Sequence, residues 1–233
     1  MRIGIMQPYF FPYIGYWQLI SAVDKYVIFD DVNYINRGWI NRNRILINGQ
    51  PAYFNLPVRG ASQNKKINEV SVNNDEELIE KNLCKLRMAY AKAPYFDEVY
   101  AVVSRILRCG RENLGTYNTF LIKEICEFIG IDKDIIVSSG INKKEELKGE
   151  EKILDICGIN GADTYINAIG GRALYHRDIF KKNGIELWFL RTDEIIYKQF
   201  SEVFTPNLSV IDVMMFNSRQ KIREMLKLYS LER

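Results

Sequence analysis

The stretch Arg2-Ile3-Gly4-Ile5-Met6-Gln7-Pro8-Tyr9-Phe10-Phe11-Pro12-Tyr13-Ile14-Gly15-Tyr16, with Lys25-Tyr26-Val27-Ile28-Phe29-Asp30-Asp31-Val32-Asn33-Tyr34 after it, decides the reading of the fold. Ile3 to Met6 is a short apolar run that predicts a strand. Gly15 to Val23 predicts a helix, and Lys25 to Phe29 predicts a second strand. Strand, helix and strand within about thirty residues read as a parallel βαβ unit. Aromatic and polar groups gather where each strand ends, the edge at which open α/β sheets bind ligands.

Working outward, Arg44 to Ile47, Asn48-Gly49 and Ala52 to Leu56 predict a hairpin. The Asn-Gly pair suits a turn with positive φ at both central residues. Residues 73–130 read as mostly helical, with Asp75-Glu76-Glu77 at a helix start, Pro94 as a break, and Gly110 and Gly115 as punctuation. Ile135 to Ser138 predicts a strand. A lysine-rich polar segment, Asn142 to Lys152, then merges into a helix ending at Cys157. Thr164 to Ala168 and Glu186 to Leu190 predict strands, with a helix from Ala173 to Asn183 between them, closed by Gly184. Leu208, Ile211, Met215, Ile222 and Met225 or Leu226 share one face of a single closing helix, Ser209 to Leu228. The expected architecture is one α/β domain over residues 1–233. Its sheet is mostly parallel and doubly wound, Rossmann-like and nucleotidyltransferase-like, with residues 73–130 as a helical insertion or lid.

The chain has 233 residues, 47% of them hydrophobic and 26% charged, an ordinary globular composition. A formal charge of +3 is too small to imply nucleic acid as partner. No apolar stretch reaches the ~20 residues that span a bilayer, and no signal peptide is legible, so a cytoplasmic location is the default expectation. The cysteines, Cys84, Cys109, Cys126 and Cys157, form no Cys-x-x-Cys motif and read as buried, inert thiols. With His176 the single histidine, a multi-histidine metal site is excluded, and no metal site is expected. Oligomeric state is left open.

Three constellations carry candidate chemistry. Tyr13-Ile14-Gly15-Tyr16 has the spacing of the His-x-Gly-His signature of nucleotidyltransferases and class I aminoacyl-tRNA synthetases, with tyrosines in place of both histidines. A tyrosine donates one hydrogen bond to a phosphoryl oxygen but brings no positive charge; the alternative is aromatic packing. Asp30 and Asp31 point to opposite faces while the strand continues. If it ends at Asp30, one enters the ligand cleft, for a metal, a sugar hydroxyl or an arginine, while the other caps the turn; the alternative is a turn-capping aspartate with a surface salt bridge. The run Arg37-Gly38-Trp39-Ile40-Asn41-Arg42-Asn43-Arg44 combines guanidinium forks for phosphate, a stacking face, and amides for hydroxyl groups. Its structural alternative is a charged edge strand. Ser62 to Lys66 is a further polar loop, either over an anion or simply solvated. Ile169-Gly170-Gly171-Arg172 offers backbone amides to an anion before a helix. His176, read as one turn into that helix, is either an acid–base group or structural.

On these residues the chain resembles the WbqC-like family of bacterial proteins. The matching stretches are Met6 to Tyr16, Asp30 to Tyr34, Gly38 to Asn43, Tyr165-Ile166-Asn167-Ala168-Ile169-Gly170-Gly171, and Leu208 to Asn217. The family is associated with O-antigen, lipopolysaccharide and capsule loci, which implies work on a nucleotide-linked sugar or its amino derivative. The sheet plan also resembles pantothenate synthetase, which activates a carboxylate with ATP for attack by an amine. Together these imply a transferase that acylates or aminoacylates a nucleotide-linked amino sugar, with ATP and Mg2+ as candidate cofactors. Asp30, Asp31 and Gln7 are the candidate catalytic residues. Pro8, Tyr9, Tyr13, Gly15, Tyr16, Asn33, Tyr34, Arg37, Trp39, Asn41, Arg42, Asn43, Arg44, Asn167, Gly170 and Gly171 are the candidate binding residues. The alternatives are a nucleotidyltransferase acting on a sugar phosphate and a non-catalytic sugar-nucleotide binder.

Overall fold

A computed structural model describes all residues, 1–233. The chain runs β1 (Arg2–Met6), α1 (Ile14–Ala22), β2 (Lys25–Ile28), β3 (Arg42–Ile47), β4 (Gln50–Asn55), β5 (Val58–Arg59) and β6 (Ser71–Val72). It continues through α2 (Glu76–Tyr90), α3 (Phe96–Leu107), α4 (Leu114–Ile129), β7 (Asp134–Val137), α5 (Gly149–Ile159), β8 (Thr164–Ala168) and α6 (Arg177–Lys182). It closes with β9 (Glu186–Thr192), α7 (Val210–Phe216), α8 (Arg219–Met225) and β10 (Tyr229–Glu232).

The central sheet has six strands in the order β10-β9-β8-β1-β2-β7. The four pairings from β9 to β7 are parallel, and β10 pairs antiparallel with β9 at the edge. Counted along the chain, the parallel strands follow the doubly wound order 3-2-1-4-5. Winding reverses between β1 and β8, so a crevice opens there at the carboxyl edge.

Side-chain alternation divides the interior. Ile3, Ile5 and Val27 face α5 and α6 in a small core with Ile156, Cys157 and Phe180. Tyr26 and Ile28 face the other way, into a cluster of 48 residues that also takes in α1, α2, α3, α4, α7 and α8. No helix is long and apolar enough to cross a membrane.

The predicted hairpin forms, and Asn48 and Gly49 take φ of 51° and 74°. Three expectations need correction. The closing helix is two helices, because Asn217 bonds back to the Val213 carbonyl and Ser218 starts a new N-cap on Lys221 N. The chain then ends in β10, which no periodicity announced. The helix expected from Ala173 is a 3-10 run, Ile169–Leu174, followed by short α6, so His176 stands at a helix N-cap and is exposed. Of the cysteines, Cys126 and Cys157 are buried, and burial pushes each thiol up to about 12, but Cys84 is exposed.

Phe180 is fully buried and stacks on Tyr165 with ring centroids 5.5 Å apart. Phe180→Ala is expected to cost about 3–5 kcal/mol in urea unfolding. Met88→Ala, at an exposed position, should change stability by no more than about 0.5 kcal/mol.

Candidate functional site at the carboxyl edge of the sheet

The loop after β1 is held by its carbonyl groups. Two prolines and an irregular path leave it without regular backbone partners, so side chains from distant elements supply the donors. Tyr16 Oη donates to the Gln7 carbonyl at 3.0 Å, and Asn118 Nδ2 to Pro8 at 3.0 Å and to Ile40 at 2.8 Å. Asn43 Nδ2 donates to Phe10 at 3.1 Å and Phe11 at 2.8 Å, and Ser209 Oγ donates to Phe11 at 2.8 Å. Trp17 Nε1 and Val210 N both reach Pro12 at 3.0 Å. The structure thereby corrects several binding assignments. Pro8, Tyr16 and Asn43 are buried in this framework rather than presented to a ligand. Burial raises the Tyr16 phenol far above its ordinary value. The space over Gly15 is filled as well, since a Cβ there would lie 2.5 Å from Thr192 Oγ1 and from the Tyr13 ring.

Tyr9 and Tyr13 remain half-buried beside the crevice, and burial raises both phenols. Tyr13 and Thr192 line a cleft of about 450 Å³ with Ile195, Tyr197, Asn207 and Leu208. The far wall, the loop from Asp193 to Leu208, is pinned by the buried Asp212. Its carboxylate accepts from Tyr197 Oη at 2.7 Å, Gln199 Nε2 at 2.8 Å and Tyr90 Oη at 2.8 Å. Burial raises the Asp212 pKa, and those three hydrogen bonds oppose the rise.

The run from Arg37 to Arg44 divides between support and surface. Arg42 stacks on Tyr53 at 4.5 Å and bonds the carbonyls of Arg37 and Gly38. Tyr34 Oη donates to Asn41 Oδ1 at 2.7 Å, and Asn41 in turn holds the Leu56 carbonyl. Arg37, Asn33 and Trp39 stay exposed, and Arg44 lies over Trp39 at 5.8 Å while reaching the Asn207 carbonyl. Asn167 is also structural, donating to Tyr165 Oη and accepting from Ala168 N. Gly171 packs on Asn167, whereas Gly170 is open. Gln7 is half-buried at the end of β1.

The aspartates just beyond the end of β2 turn to different faces. Asp30 turns toward α4. It accepts from Ser139 N at 3.0 Å, Ser139 Oγ at 2.7 Å and Asn68 Nδ2 at 3.3 Å. It also lines a cleft of about 270 Å³ with Arg111, Thr116, Thr119, Lys123 and Ser139. Asp31 turns toward α5, where Lys143 and Lys152 approach its Oδ2 at 2.9 and 2.8 Å. Burial raises the Asp31 pKa, but Lys152 and Lys143, with the Ser138 hydroxyl beside them, outweigh it and hold the group at about 2. Arg111, Lys123, Lys143, Lys152 and Thr192 were not picked out from the sequence. Ser138 and Ser139 were findable, because they end a predicted strand on the edge that also carries Asp30. No group of three or more His, Cys, Asp or Glu side chains gathers in metal-binding geometry.

With this geometry in view, a profile of the WbqC-like protein family matches residues 7–224. The chain belongs to the WbqC-like protein family. It is similar to the uncharacterized protein Rv1507c of Mycobacterium tuberculosis, 27% identical over 216 residues, which is 91% of this chain and 92% of that protein. No solved structure matches.

Asn43→Ala strips donors from two buried carbonyls and is expected to cost roughly 2–4 kcal/mol in denaturant unfolding. Because the Asp31 pKa is depressed on folding, its stabilisation is present above the ordinary carboxylate value of about 4 and fades as pH falls toward 2. Asp31→Asn should therefore flatten that part of the acid limb. It should also cost about 3–5 kcal/mol at neutral pH by leaving two buried lysines without a counter-charge.

Proposed function

We propose that the protein is a transferase that places an acyl or aminoacyl group on the amine of a nucleotide-linked amino sugar used in surface-polysaccharide assembly. The observation that carries this reading is the cleft shared by Asp30, Arg111 and Lys123. A carboxylate offers about four acceptor sites, and the chain's own donors to Asp30 are Ser139 N, Ser139 Oγ and Asn68 Nδ2. One site is left for an incoming ammonium or amine. Arg111 and Lys123 face the same space with no carboxylate partner among the ion pairs of the chain, which suits phosphate. An amino sugar nucleotide carries both groups.

In this reading ATP activates the donor carboxylate as an acyl-adenylate with release of pyrophosphate, and the amine then displaces AMP. Asp30 orients the amine and takes its proton. Position and charge stabilisation supply most of the rate gain. Magnesium, where ATP brings it, is held chiefly by the phosphates.

Incubation with ATP, carboxylate or amino-acid donors and a panel of UDP- and dTDP-linked amino sugars should release AMP and add the donor's mass to one sugar. Asp30→Asn is expected to lower kcat by about 10²–10⁴-fold. Arg111→Ala is expected to raise KM about tenfold with a smaller effect on kcat. Neither AMP nor a mass shift across the panel overturns the reading, and pyrophosphate release from a nucleoside triphosphate plus a sugar phosphate replaces it with nucleotidyl transfer.

A further inference from the structure

Behind Asp31, two lysines are buried against one carboxylate. The Lys143 and Lys152 side chains are 4% and 8% exposed, and both ammonium groups meet Asp31 Oδ2. Lysine is almost never buried unless it is paired. Here one negative charge answers two positive ones, so the cluster carries a net charge of +1. No other acidic side chain pairs with either lysine. The Phe29 ring, 5.3 Å from Lys152 Nζ, compensates only a part.

The hydrogen bonds are incomplete in the same place. Lys152 Nζ donates to the Asp31 carbonyl at 3.1 Å and to Oδ2, and Lys143 Nζ donates to the Ser138 carbonyl and to Oδ2. Each ammonium has three donors, so each keeps one in hand. The Ser138 hydroxyl is fully buried and, like the neighbouring Asp31 Oδ1, is left without a hydrogen-bond partner. Two free N–H groups, one free hydroxyl and one uncompensated charge converge at the carboxyl ends of β2 and β7. Asp31 retains 10% exposure, so the cluster is not sealed from solvent.

We propose that Lys143, Lys152 and Ser138 form an oxyanion-binding site that receives a phosphate or carboxylate group of a small-molecule ligand. Asp31 is its positioning residue. It holds the two ammonium groups together while the site is empty and leaves one charge over for the ligand. The lysine on the loop before α5, Lys143, is the removable member, and Lys152, rooted in the first turns of α5, is the fixed one. This site lies on the opposite face of the sheet end from the Asp30 cleft, and it does not depend on the transferase reading.

Physics separates this role from a purely structural one. Removing Lys143 leaves Asp31 and Lys152 as a balanced pair, so the fold should not suffer. A residue kept for binding at the expense of stability behaves this way. The test uses the full chain at fixed ionic strength, with melting followed against inorganic phosphate, pyrophosphate, acetate and glycine. Wild type is expected to gain several degrees in Tm with one of these classes, and the responding class tells phosphate from carboxylate. Lys143→Gln, which keeps a donor for the Ser138 carbonyl, should melt within a degree or two of wild type or above it, and should lose most of the anion-induced gain. Lys143→Met should agree. Absence of any anion effect on wild type overturns the proposal. So does a full anion effect in Lys143→Gln, or a fall in its Tm as large as that of Asp31→Asn.

Discussion

The structure depends on satisfying the carbonyl groups of one buried loop, Gln7 to Pro12. Phe10 and Phe11 are wholly buried there, and Phe11 adopts a φ of 43°, an unusual value for a bulky residue. An unpaired buried carbonyl costs about 1–3 kcal/mol, so the loop is viable only if donors arrive from elsewhere. They arrive from α1 through Tyr16 and Trp17, from the hairpin through Asn43, from α4 through Asn118, and from the start of α7 through Ser209 and Val210. Elements far apart in sequence are thus fixed relative to the end of β1.

This gives the aromatic motif a framework role and leaves the open spaces on its flanks. The loop is the partition, and the open spaces lie beside it: the Tyr13–Thr192 cleft toward β9 and the Asp30 cleft toward α4. Just beyond the end of β2, neighbouring carboxylates turn into different environments. Asp30 is satisfied by neutral donors and opens on a cleft. Asp31 is enclosed by lysines. One dipeptide thus provides a buried carboxyl group held by neutral donors at the edge of a cleft on one face and an ion cluster on the other.

The parallel βαβ start, the later strands and the hairpin were legible in the sequence because each is a local pattern: an apolar run, a 3.6-residue period, an Asn-Gly turn. The break at Asn217-Ser218 was not, since apolar positions stay in phase across it and only the side-chain caps show that the helix restarts. β10 is too short to carry a pattern and exists through pairing with β9. Strand-end logic pointed to Gln7, Asp30 and Asp31, and the structure places all three at the carboxyl edge of the sheet. It overvalued Asn43 and Gly15, because an amide that bridges two carbonyls and a glycine that admits a threonine look the same in sequence as ligand contacts. Lys143 and Lys152 read as part of a polar, lysine-rich segment. Their burial is a property of how α5 packs against the end of β2, and composition does not encode that.

We propose that this protein meets its ligand at the carboxyl edge of the parallel sheet. Hydrogen–deuterium exchange with and without a nucleotide-linked amino sugar is the decisive test. Slowed exchange is expected in the segments around Tyr9–Tyr13, Asp30–Asp31, Arg111–Lys123 and Ser138–Lys143. Protection confined to the groove lined by Leu46, Met88 and Phe200, with the sheet edge unchanged, contradicts it.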